Sequence, residues 1–103
     1  MVYKKNAKIV VIDDEKDICE LLDIVFQQED FEVTFYTDSQ KFVEDFPKFN
    51  HNNLDLVMVD LMMPKVDGFQ IMELLNSKEN TRYIPKIVIS AFQSRDNLKE
   101  AYK

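Results

Sequence analysis

Hydrophobic positions along the chain fall into two alternating rhythms. Lys8-Ile9-Val10-Val11-Ile12 is a short apolar run bounded by acids, and Leu54 to Val59 is another. Both are brief and continuous, as expected of strands buried on two faces. Glu32 to Tyr36 alternates and is rich in β-branched and aromatic residues, so it predicts a strand as well. A fourth strand follows Pro85 over Lys86-Ile87-Val88-Ile89. Between them the period lengthens. Ile18, Leu21, Leu22, Val25 and Phe26 keep the i, i+3, i+4, i+7 spacing of an amphipathic helix. Thr37-Asp38-Ser39 offers N-caps for a short helix with Phe42, Val43 and Phe46 on its apolar face. Gly68 to Asn76 predicts a helix with Phe69, Met72 (or Ile71) and Leu75 inward, and Asp96 to Lys103 the start of another.

This β-α alternation predicts one α/β domain over residues 1–103, a doubly wound parallel sheet with helices on both faces. Ligands of such sheets bind beyond the carboxyl ends of the strands. That edge is where the unusual residues lie. The first strand runs into Asp13-Asp14-Glu15, the third ends at Asp60, and the fourth ends at Ser90-Ala91. Two neighbouring strands ending in acids gather several carboxyl groups. Their repulsion grows with burial, so a shared cation is the natural occupant. Taken singly, each feature has a plainer reading. Asp13-Asp14-Glu15 suits a helix N-terminus, Asp67-Gly68 suits a turn, and Ser90 suits a strand end.

Composition narrows the classes. The formal net charge of −6 argues against nucleic acid as a direct ligand. Hydrophobic content of 46% supports a real core, and no apolar run approaches the ~20 residues of a membrane span. The basic start before Lys8 is followed by an apolar stretch too short for a signal peptide, so the expected location is cytoplasmic. The single glycine, Gly68, leaves no Gly-rich loop for a dinucleotide. Cys19 is the only cysteine and sits on the apolar face of the first helix, where a core thiol is expected. His51 is the only histidine, in a polar loop, so no Cys/His metal cluster is available.

Three segments together resemble the receiver domain of two-component response regulators: Val10-Val11-Ile12-Asp13-Asp14-Glu15, Asp60-Leu61-Met62-Met63-Pro64-Lys65-Val66-Asp67-Gly68 and Ile84-Pro85-Lys86-Ile87-Val88-Ile89-Ser90-Ala91. The resemblance spans nearly the whole chain. It implies a flavodoxin-like fold with strand order 2-1-3-4, and a phospho-accepting protein rather than a turnover enzyme. Asp60 would be the phospho-acceptor, receiving its phosphoryl group from a histidine kinase or phosphotransfer protein. Asp14 and Asp60 would ligate Mg²⁺, with Asp13 acting mostly through water and the backbone carbonyl of Met62 adding an oxygen. Ser90 would hydrogen-bond the phosphoryl group. Pro64 and Gly68 would shape the loop above it. A downstream protein would read the state of the domain.

The family pattern continues through a fourth helix, a fifth strand ending in a phosphate-pairing Lys, and a fifth helix. The sequence given reaches only Lys103, within the expected fourth helix, and Lys16, Lys65, Lys86 and Lys103 do not occupy the position of that Lys. The expectation is a receiver incomplete at its C-terminus, whose fourth strand offers an open edge to a homodimer or a partner. A degenerate receiver that works only as an interaction module is the alternative. An aspartyl phosphatase would need a second acid two residues beyond the nucleophile, where Met62 stands. Large apolar Met62 and Phe92 beside the site predict slow self-dephosphorylation.

Overall fold

The computed structural model describes residues 6–48 and 54–89. Four strands form one parallel sheet: β1 (Lys8–Ile12), β2 (Glu32–Tyr36), β3 (Leu56–Asp60) and β4 (Lys86–Ile89), in the order β2-β1-β3-β4. Register aligns Ile12 with both Tyr36 and Val59, and Asp60 with Ile89. The carboxyl ends of the strands therefore finish at one edge. Between β1 and β3 the winding reverses direction, which leaves a crevice at the ends of those two strands.

Alternation along the strands divides the core. Val10, Ile12, Val57 and Val59 face α2 (Ser39–Asp45) and α3 (Gly68–Asn76), where Phe42, Phe46, Ile71 and Leu75 are buried. Ile9 and Val11 face α1 (Lys16–Gln27) through Cys19, Leu22 and Phe26. Coverage on both faces is why β1 is apolar at every position from Ile9 to Ile12. Tyr36, Phe42 and Phe46 stack in sequence across α2, with ring centroids 5.3 and 5.8 Å apart.

Three expectations are corrected. In α1, Leu21 and Val25 point outward, and the inward face is Ile18, Cys19, Leu22 and Phe26. In α3, Phe69 is 62% exposed while Ile71 and Leu75 are fully buried. The third strand starts at Leu56 and includes Asp60, because pairing with β4 carries the ladder one residue further. A short helix, α4 (Glu79–Arg82), precedes β4. The Lys86 ammonium donates to the carbonyls of Thr81, Arg82 and Ile84 at the end of this turn, at 3.4, 3.0 and 2.8 Å. The helix expected over Asp96–Lys103 lies outside the described residues, as do His51, Ser90, Ala91 and Phe92. No described helix is long and apolar enough to cross a membrane.

Candidate functional site: an acidic pocket at the strand ends

Asp60 is the last residue of β3 and has no solvent exposure, and Asp13, immediately after β1, has 2%. Neighbouring parallel strands bring these two carboxyl groups together, and Asp14 joins them from the surface. Carboxylate oxygens of the three lie within 4.8 Å of one another.

Each buried acid is held in place by backbone donors. The amide of Met62 donates to Asp60 Oδ1 at 3.1 Å. The amide of Glu15, the residue before α1, donates to Asp13 Oδ1 at 3.0 Å. Such donors favour the charged form, but burial outweighs them. Loss of hydration raises the Asp60 carboxyl to about 7, helped by the negative charges of Asp13 and Asp14. Asp13 is raised too, chiefly by burial. Their proximity and shared burial raise both carboxyls together. Two desolvated acids side by side resist being charged together, and a bound cation would offset that repulsion. Three oxygen donors, two of them buried carboxylates, suit a hard ion such as Mg²⁺, which takes a few carboxylates and keeps its remaining water.

The loop leaving Asp60 is tightly organised. The carbonyl of Leu61 accepts from the amide of Gly68 at 3.1 Å, closing the loop. A Cβ on Gly68 would overlap the Asp60 carbonyl oxygen and come within 2.7 Å of Leu61 Cα. Only glycine lets α3 begin against the end of β3. Asp67 and Gln70 form a reciprocal capping box at 2.9 Å in each direction, so α3 starts at a fixed point. Inside the loop, the carbonyl of Pro64 accepts from the amide of Val66 at 2.9 Å, a γ-turn centred on Lys65. Lys65 has φ 69°, a left-handed conformation that costs a side-chain-bearing residue about 1–3 kcal/mol. The same Pro64 carbonyl also accepts from the hydroxyl of Ser39 at 3.3 Å. Lys65 Nζ reaches Asp38 Oδ2 at 4.0 Å.

Of the residues singled out in the sequence, Asp13, Asp14 and Asp60 are brought together, and Met62, 57% exposed, lies on the adjoining loop. Ser90 falls outside the described residues, one position beyond β4. Sequence reasoning missed Ser39. It reads as one of several N-cap candidates, yet the cap is Asp38, and Ser39 is 3% exposed with its hydroxyl turned to Pro64 in the loop after β3. Cys19 is buried, and its thiol is pushed up to about 11 by burial and by Asp13 and Asp14. That makes it an inert core group.

Comparison with known proteins identifies the family. The family model for the response regulator receiver domain matches residues 9–103. The chain is 33% identical to the regulatory protein VanRc of Enterococcus gallinarum over 86 residues, which are 84% of this chain and 35% of the relative. It is 32% identical to the response regulator GtcR of Aneurinibacillus migulanus, over 91% of this chain and 36% of that one. The chain thus spans little more than a third of the length of these relatives. Among solved structures, a receiver domain protein of Clostridium thermocellum superposes with a TM-score of 0.72 at 29% identity, covering 93% of this chain and 74% of that one. The receiver domain of the Francisella response regulator 1452 gives 0.71 at 27%, covering 94% and 76%. The fold is flavodoxin-like, and the chain belongs to the response regulator receiver domains of two-component systems.

Proposed function

We propose that the chain is a phospho-accepting signalling domain in which Asp60 takes a phosphoryl group from a histidine kinase or a phosphotransfer protein. The observation that carries this reading is the burial of Asp60 at the end of β3, with Asp13 and Asp14 converging on it, in a chain of the receiver family. An Asp60 carboxylate oxygen attacks phosphorus and forms an acyl phosphate. The P–N bond of the donor phosphohistidine breaks, and its electron pair stays on the imidazole, which takes up a proton. Asp60 must be ionised to act, and burial raises its carboxyl to about 7, so it has to lose a proton first.

Asp13, Asp14, Asp60 and the Met62 carbonyl are the groups that would hold Mg²⁺. Bound there, the ion would neutralise charge on the transferring group. The chain's own residues do the rest. The Met62 amide orients the Asp60 carboxylate, the Asp67–Gln70 box fixes the far end of the loop, and the cleft admits the donor from the strand ends. Ser90, which follows Ile89 in the sequence, would hydrogen-bond the acquired phosphoryl group. A downstream protein would then respond to the position of these loops. Use of a kinase donor is consistent with a cytoplasmic setting.

Borohydride reduction of the phosphorylated protein tests the acceptor directly. Phospho-Asp60 would become homoserine and be located by peptide mass mapping. Homoserine at another position, or none in phosphorylated protein, would reject the assignment.

We further propose pairing along β4. Among the described residues β4 pairs only with β3, and Ile87 and Val88 are 48% and 41% exposed. A second copy of the chain adding a strand there would cover both. Light scattering should report a dimer at micromolar concentration, and a monomer would count against it.

A further inference from the structure

We propose that Ser39 is a positioning residue for the phosphoryl-transfer site, its hydroxyl holding the Pro64–Lys65–Val66 γ-turn in its left-handed form. The inference rests on the phospho-acceptor reading above but names a residue outside the acid cluster.

The geometry begins at Pro64. Its carbonyl oxygen accepts two hydrogen bonds, from the Val66 amide at 2.9 Å and from Ser39 Oγ at 3.3 Å. The first closes the γ-turn, which puts Lys65 at φ 69°. A side chain disfavours that conformation, so the turn persists only where its surroundings hold it. Ser39 supplies the holding from a rigid place. It is the first residue of α2, 3% exposed, and Asp38 before it already caps the helix by accepting from Gln40. The Ser39 hydroxyl is therefore not needed as a cap. Phe42, one turn on, is buried in the core and anchors α2. Lys65 Nζ, 4.0 Å from Asp38, reinforces the same link from the solvent side.

The turn is two residues from Met62, whose amide fixes the Asp60 carboxylate and whose carbonyl belongs to the proposed ligand set. The loop has hydrogen-bonded ends, at Leu61–Gly68 and at the Asp67–Gln70 box. With both ends tied, a change of the Lys65 backbone is passed to Met62. Asp14, Ser39, Pro64 and Lys65 all line one cleft of about 180 Å³. The latch thus lies beside the acid cluster.

The test is a double-mutant cycle with Ser39→Ala and Lys65→Gly. Glycine takes positive φ without strain, so in its presence the hydroxyl has little to hold. The readout is the Mg²⁺ dissociation constant, from titration of the Met62 and Val66 amide resonances. Ser39→Ala should weaken Mg²⁺ on the order of tenfold, as removing an outer-shell support does. In the Lys65→Gly background the same change should cost much less. A Ser39→Ala protein that is folded, with Mg²⁺ affinity within about twofold of wild type, would overturn the proposal. Strictly additive effects of the two substitutions would overturn it as well. So would a wild-type Met62 amide that does not respond to Mg²⁺. Labelling of wild type by acetyl phosphate is followed separately, so a failure of Asp60 as acceptor is distinguished from a failure of the latch.

Discussion

Gly68 begins α3 directly against the backbone of Asp60, so close that a Cβ would overlap the Asp60 carbonyl oxygen. The start of one helix and the last residue of a central strand are thereby locked to each other. Gly68→Ala must push the two apart. The obstacle is backbone, which cannot rotate aside as a side chain would. A loss of about 1–3 kcal/mol in urea unfolding is expected, the usual cost of overpacking. Phosphoryl uptake should fall further than stability alone explains, because Asp60 moves. Wild-type stability in Gly68→Ala would contradict this packing.

Acid titration should show the raised Asp60 carboxyl. The folded protein keeps the Asp60 proton up to about pH 7, whereas the unfolded chain releases it near 3.8. Between those values the folded state binds more protons, so stability falls as pH rises. Asp13 acts in the same direction. Asp45, held low by the Tyr36 hydroxyl that donates to it at 2.9 Å, acts oppositely, its contribution lost as pH falls. In chelator, the wild-type urea midpoint should decline from pH 4 to pH 7 relative to Asp60→Asn. The Asp45 contribution is common to both proteins and cancels. Parallel profiles would show that Asp60 titrates as an ordinary surface acid.

Magnesium should reverse that decline. Binding only to the folded state stabilises it by about 2.7 kcal/mol at a hundredfold excess over the dissociation constant. Above pH 7 the wild-type protein should gain about this much. Asp14→Asn and Asp13→Asn should gain much less, although both remove repulsion and are expected to be stable without metal. An equal gain in the variants would place the ion elsewhere.

The side chain of Met62 is half exposed beside the loop, with Leu61, Met63 and Phe69 around it. An apolar side chain there would hinder water from reaching an acyl phosphate on Asp60. Loss of the phosphoryl group should be slow in wild type and severalfold faster in Met62→Asn. The rate of adduct decay by mass spectrometry measures both. Rapid decay unaffected by the substitution would contradict the shielding role.

Much of this architecture is legible in the chain because parallel strands buried on two faces cannot hide. Ile9 to Ile12 and Leu56 to Val59 are apolar at every position, and the acids after them mark the sheet edge. Helix faces are harder to read. Leu21 and Phe69 are as apolar as their buried neighbours, and only packing reveals that they face solvent. The third strand's last residue depends on its pairing with β4, a long-range contact. Ser39 was illegible for a similar reason. A serine after Asp38 reads as a cap candidate, and its partner Pro64 is 25 positions away. Lys65 gives no hint of a left-handed backbone, since lysine is not a residue that favours one. The acid cluster needed only strand ends and strand order. The latch rests on a contact between residues 25 positions apart.

The central claim is that the acid cluster is a phosphotransfer site with Asp60 as acceptor. Intact mass after incubation with acetyl phosphate, with and without Mg²⁺, on wild type and Asp60→Asn, tests it most directly. A single Mg²⁺-dependent phosphoryl adduct on wild type, absent from Asp60→Asn, is the predicted result. No adduct on folded wild-type protein, or an adduct that survives Asp60→Asn, would contradict the claim and favour a receiver that acts only by protein contact.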